Sequence, residues 1–257
     1  MQLHFQQYGA GQPLVILHGL FGSLTNWNSI SKTFGAHYRV IAVDQRNHGN
    51  SPHSADLRYT ALAADLQELF VAQELHSAHV LGHSMGGKTA MQFALSYPEL
   101  VDRLVVVDIA PRAYAPQHDD IFEALGGLDL RRYSNRSELD QALAQQLPDR
   151  AVRQFLLTNV ERDDAGGFRW KINLAALREH YAEIIAGIEA DQPFTKPALF
   201  VRGAHSDYIQ AADEPAIRTL FPRAAITTVA GAGHWVHAEA PAEFARVVLD
   251  FVGAPER

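Results

Sequence analysis

Apolar positions along the chain follow two alternating rhythms. Unbroken short runs at 14–17, 40–43, 78–81, 104–107 and 198–201 (Leu-Val-Ile-Leu, Val-Ile-Ala-Val, Ala-His-Val-Leu, Leu-Val-Val-Val and Ala-Leu-Phe-Val) have the length of strands covered on both faces. Between them the period changes: Leu62, Leu66, Leu69 and Phe70 line one helical face, and Phe244, Val247, Val248 and Phe251 line another, opened by a first-turn proline, Pro241. An opening strand is expected at 3–8, pairing antiparallel at the edge through the Gly9-Ala10-Gly11 turn, and a last one at 225–229. Strands alternating with helices predict an α/β fold, a mostly parallel central sheet flanked by helices.

That rhythm breaks once. From Pro111 to Pro193 the pattern shows helices, at 121–125, 138–146, 151–159 and 174–188, and no sheet strand. The expected organisation is a core of residues 1–110 and 194–257 with a helical cap, 111–193, inserted between two sheet strands. No internal repeat or low-complexity tract is visible.

Composition narrows the function. With 47% hydrophobic and 20% charged residues, the 257-residue chain has ordinary globular content. A net charge of −7 gives no basic footprint for nucleic acid or an anionic membrane. No apolar run approaches the roughly 18 residues of a membrane span. The first residues lack the basic-then-apolar pattern of a signal peptide, so a cytoplasmic protein is expected. The absence of cysteine excludes disulfides, thiolate metal sites and a cysteine nucleophile. Histidine spacing suggests no metal site, and no cofactor is expected.

The strongest chemical signal is Gly82-His83-Ser84-Met85-Gly86, a G-x-S-x-G between a strand and a helix. A sharp turn there strains the serine backbone and exposes its hydroxyl, with glycines where side chains would collide. The same stretch, extended to Lys88 and Thr89, literally matches the phosphate-loop pattern G-x-x-x-x-G-K-[ST], and residues 104–108 resemble a strand ending in a Mg²⁺-holding Asp. A nucleotide hydrolase is therefore a competing reading. It leaves two further segments idle, and a turn that tight cannot wrap a triphosphate. Lys88 then falls to an ion pair or a surface charge.

The two further segments complete a hydrolase. After the strand at 14–17, His18-Gly19-Leu20-Phe21-Gly22-Ser23 can supply an oxyanion-hole N–H, expected from Leu20, to act with that of Met85; Phe21 would flank the acyl pocket and His18 would be structural. Gly231-Ala232-Gly233-His234-Trp235 follows the last strand and places a base, His234, at the sheet's C-terminal edge, last in the order Ser…Asp…His. His237, three residues on, is expected to be exposed or structural. The acid is open on pattern alone: Asp108 and Asp207 both follow sheet strands and both respect the order.

Taken together, these segments make the chain resemble the α/β-hydrolase superfamily, and within it the YbfF-like esterases and their animal mitochondrial relatives. The likeness also covers Asp44-Gln45-Arg46-Asn47-His48-Gly49 with Ser51, Val107-Asp108-Ile109-Ala110-Pro111, and 168–174 in the insertion. It implies an α/β-hydrolase fold with a small helical cap, and a serine carboxylesterase cleaving acyl esters, with acyl-thioesters as an extension. It also implies an acid after the strand that follows the nucleophile helix, which maps to Asp108. The chain departs at Ser206-Asp207, where such esterases often lack a carboxylate. Asp44, Arg46 and His48 match a family turn motif that fixes a loop. The resulting expectation is a Ser84–His234–Asp108 triad, with Asp207 as alternative acid, acting on a small-molecule ester. Cleavage of a C–C bond or another bond by the same triad is the alternative. The aromatic residues Phe122, Phe168, Trp170 and Tyr181 of the insertion serve equally as packing or pocket wall.

Overall fold

The computed structural model describes residues 1–163 and 166–253; residues 164–165 and 254–257 lie outside the described residues. Seven strands build the main sheet: β1 (Phe5–Tyr8), β2 (Pro13–Leu17), β3 (Arg39–Val43), β4 (Ala78–His83), β5 (Val101–Val107), then β8 (Ala198–Gly203) and β9 (Ala224–Val229). Their order is β1-β3-β2-β4-β5-β8-β9, and every pairing is parallel except that of β1 with β3. Strands β2 to β5 are buried over nearly their whole length, which is why their sequences run apolar without alternation.

The opening strand departs from expectation in its partner. It lies against β3, with Phe5 opposite Val43, rather than against β2 across the glycine turn. Both edges of β2 are already taken, by β3 and β4. Gly9, at φ 65°, passes so close to the loop before β3 that a Cβ would stand 2.0 Å from Gly35 O.

Helices α1 (Asn28–Phe34), α2 (Tyr59–Ala72) and α3 (Met85–Ser96) cross over between the first parallel strands. The predicted face of α2 is buried, Leu62, Leu66, Leu69 and Phe70 included. One apolar layer gathers α2 and α3 on one face of the sheet. The other packs Trp27, Ile30 and Phe34 against Phe244, Val248 and Val252.

Between β5 and β8 the chain forms α4 (Asp119–Gly126), α5 (Arg136–Leu143), α6 (Arg150–Leu157), α7 (Leu174–Glu179) and α8 (Tyr181–Ile185). Two features there differ from the sequence reading. A two-stranded antiparallel hairpin, β6 (Val160–Arg162) with β7 (Phe168–Trp170), separates α6 from α7. Its turn carries Gly166 at φ 83°, the kind of residue such a bend requires. And the single helix expected over 174–188 is broken at His180 (φ −103°, ψ 22°). The carbonyls near the end of α8 face donors from the core: Tyr59 Oη–H donates to Ile184 O at 2.6 Å, and the Lys88 ammonium donates to Ile185 O at 3.2 Å and to Ala186 O.

After β8 come α9 (Glu214–Leu220), β9, α10 (Val236–Glu239) and α11 (Pro241–Val252), the last starting at the proline the pattern singled out. No helix among the described residues is long and apolar enough to cross a membrane.

Candidate active site

Strand β4 ends at His83 and α3 begins at Met85, so one residue makes the whole turn. That residue is Ser84, at φ 53° and ψ −120°. A non-glycine residue in such a region costs on the order of 1–3 kcal/mol and persists only where its surroundings enforce it. The enforcement is visible. A Cβ on Gly82 would stand 2.0 Å from Gly86 O, and one on Gly86 would stand 2.4 Å from His18 O. The backbone closes on itself on both sides of the serine, with Ser84 N–H held by Val107 O at 3.0 Å.

His234 follows the Gly231 bend after β9. Its Nδ1–H donates to Asp108 Oδ2 at 2.8 Å, which leaves Nε2 as the lone-pair nitrogen. Asp108 is fully buried just beyond β5, itself at φ 52°. It also accepts Gly203 N–H at 3.1 Å and the hydroxyl of Ser206. Asp207 differs in every respect. Its side chain is exposed and no hydrogen bond to its carboxylate exists among the described residues. The two carboxylates that sequence pattern left equal are thus unequal in space: one touches the imidazole, the other faces solvent.

The loop after β2 is held from three directions. Phe21, at φ 58°, donates its N–H to His48 Nε2 at 3.3 Å and accepts from Asn159 Nδ2 at 2.6 Å. Asp44 takes Leu24 N–H at 2.8 Å and Asn50 N–H at 2.9 Å, while Arg46 pairs with buried Asp65 at 2.6 Å. Asp44 and His48 thus bond the loop after β2, while Arg46 ties its own turn to Asp56 O, Ala61 O and Asp65. His18 is structural too: its Nε2 accepts Gln45 N–H at 3.0 Å and its Nδ1–H donates to Gly19 O. Burial pushes the His18 imidazole down to about 4 and that of His48 to about 3, so both stay neutral at physiological pH. Among the described residues no group accepts the Leu20 N–H. The Met85 N–H is one of the unsatisfied first-turn donors of α3.

Two cavities share Ser84 in their walls. The outer cavity, about 560 Å³, is lined by Ser84 and His234 together with Gly19, Leu20, Phe155 and Trp235. The inner chamber, about 40 Å³, runs from Ser84 and Met85 to Lys88, Tyr59, Tyr114 and Tyr181. Of Phe122, Phe168, Trp170 and Tyr181, Tyr181 therefore reaches the chamber, beside Tyr114, while Phe122 packs edge-on against Phe21 and Tyr181.

Three residues were misjudged or missed from sequence. Lys88 is neither an ion pair nor a surface charge; it is 1% exposed, and its ammonium meets backbone carbonyls and aromatic rings among the described residues. Its place one helical turn from the serine was the available signal. Tyr208 stacks on His234 with centroids 4.0 Å apart and planes 21° from parallel, and no motif announced it. His83, inside the motif, donates its Nε2–H to the His234 carbonyl. His237, expected to be exposed or structural, is buried and stacked on Trp27 at 4.0 Å.

A family model described as alpha/beta hydrolase fold matches residues 12–241, and the chain belongs to that family. It is 42% identical over 247 residues to the sn-1-specific diacylglycerol lipase ABHD11 of Mus musculus, covering 93% of this chain and 80% of the mouse protein. It is 36% identical over 241 residues to Esterase YbfF of Escherichia coli, covering 93% and 92%. Among solved structures, one titled "Marine microorganism esterase" superposes with a TM-score of 0.95 at 42% identity, covering 97% of this chain and 99% of the other.

Proposed function

We propose that this chain is a serine carboxylesterase in which Ser84 is the nucleophile, His234 the base and Asp108 the acid of the triad. One observation carries the reading: a serine held in a strained turn shares a cavity wall with an imidazole whose far nitrogen is 2.8 Å from a buried carboxylate. The esterase and lipase names of the relatives above support the reaction class.

The chemistry follows from the groups present. A serine hydroxyl is a weak nucleophile until a base takes its proton. His234 Nε2 takes it as Ser84 Oγ attacks the ester carbonyl, and Asp108 steadies the resulting imidazolium through Nδ1–H. The oxyanion is received by the Leu20 and Met85 N–H groups, each worth roughly 100- to 1000-fold in rate. The alcohol leaves with the proton from His234. Water, activated by the same nitrogen, then releases the acid and frees Ser84. Residues 111–193 act as a cap over the core formed by 1–110 and 194–257. The substrate is a small-molecule ester and the working compartment is the cytoplasm.

The test is a turnover panel of esters of increasing acyl length on the wild type, Ser84→Ala, Asp108→Asn and Asp207→Asn. Activity lost in Ser84→Ala and Asp108→Asn but kept in Asp207→Asn is the expected result. Loss in the Asp207 variant alone would move the acid to the later loop.

A further inference from the structure

Among the described residues lining the inner chamber, Lys88 is a buried cation whose partners are carbonyls and aromatic rings and include no carboxylate. The ammonium has three N–H donors. Two go to Ile185 O and Ala186 O at the end of α8. Among the described residues nothing takes the third, and no carboxylate pairs with the charge. The nitrogen lies 4.9 Å from the Tyr114 ring centroid and 5.8 Å from that of Tyr59. Its neighbouring charge is another cation, Arg112, whose own carboxylate is Asp213 at 2.8 Å. Desolvation, helped by Arg112, pushes the amine down to about 7, the mark of a charge lacking its counter-ion. A lysine that only tied α8 to the core would be served as well by a neutral donor such as glutamine. A buried ammonium without an anion is costly unless an anion arrives.

The chamber shows where the anion would come from. Ser84 and Lys88 line the same small space, walled by Ile109, Tyr114, Tyr181 and Ile184. At about 40 Å³ it admits only a few atoms beyond the ester carbonyl. We infer that Lys88 reads the far end of a short acyl group, and that the preferred acyl group carries a terminal carboxylate received by the spare ammonium N–H. This rests on the esterase reading and names the substrate class for that same site: half-esters of short dicarboxylic acids, with the alcohol portion in the outer cavity.

The experiment compares monomethyl succinate with its uncharged isostere, methyl isocaproate, in the wild type, Lys88→Met and Lys88→Gln. A hydrogen bond to a buried charge supports a wild-type kcat/KM ratio of about ten or more in favour of the half-ester. Both variants are expected to bring that ratio to about one or below, and Lys88→Gln retains donors for the two carbonyls. Should neither variant fold, inhibition of the wild type by the products decides, with succinate expected to inhibit more tightly than isocaproate by about the same factor. A wild type that prefers the uncharged ester, succinate no tighter than isocaproate, or variants that keep the wild-type ratio would each overturn the inference while leaving the esterase reading intact. Hydrolysis of neither ester by a wild type active on the acyl-length panel would overturn this inference alone, and a wild type no more active than Ser84→Ala across the whole panel would overturn the esterase reading with it.

Discussion

The imidazole of His83 donates through Nε2–H to the backbone carbonyl of His234, 2.8 Å away, across 151 positions of sequence. The residue before the nucleophile thus holds the peptide of the base. Burial, with the neighbouring His234 and His237, keeps His83 well below the usual imidazole range, so this donor does not change its charge near neutrality. Misplacing a reacting group by about 1 Å can cost on the order of 100-fold. His83→Ala is therefore expected to lower kcat/KM by roughly 10- to 100-fold, and His83→Gln, which retains a donor, by less. Equal losses in the two variants would argue against a positioning role.

The two candidate acids separate cleanly. Asp108→Asn leaves the shape intact but disturbs the imidazole tautomer, and a loss of about 10⁴ in kcat is expected. Asp207, exposed and without a hydrogen bond to its carboxylate, is expected to tolerate Asn with less than about a twofold change. Steady-state kinetics on the two purified variants decide between them.

Strain at the nucleophile has its own signature. Ser84 occupies φ 53° at a cost that glycine would not incur. Ser84→Gly is expected to abolish turnover yet raise stability by about 1 kcal/mol, after allowing for the looser unfolded chain. Ser84→Ala keeps the strain and is expected to leave the urea midpoint nearly unchanged. A Gly variant less stable than the Ala variant would contradict the strained turn.

Acid sensitivity follows from the buried imidazoles, among them His18, His48 and His237. In the unfolded chain a histidine titrates near 6.5, whereas burial holds His18 down to about 4, and His48 and His237 down to about 3. The unfolded state therefore binds more protons as pH falls, and protonation favours it. Stability is fully present above about pH 6.5 and is expected to decline as pH drops from there through 4 toward 3. Urea midpoints measured from pH 8 downward test the sign; a flat profile to pH 4 would contradict it.

Much of this was legible in the sequence because it rests on short-range constraints. The parallel strands announced themselves as apolar runs buried on both faces, and the turn at Ser84 as two glycines at positions where a Cβ would have no room. What escaped depended on distant partners. The choice of β3 over β2 as the neighbour of the opening strand turns on which edges are free. The hairpin of β6 and β7 is three residues per strand, too short for a period to register. The depth of Lys88 was signalled only by its place one helical turn from Ser84, because its carbonyl partners lie 97 and 98 residues away in the insertion. Asp108 and Asp207 occupy equivalent sequence positions, and only the path of the His234 loop distinguishes them.

The central claim is that Ser84 is an activated nucleophile. Intact-protein and peptide mass spectrometry after exposure to a fluorophosphonate tests it most directly. One adduct per chain on Ser84, absent in Ser84→Ala and strongly slowed in His234→Ala, is the expected result. A wild type that stays unmodified while hydrolysing esters, or an adduct on another serine, would contradict it.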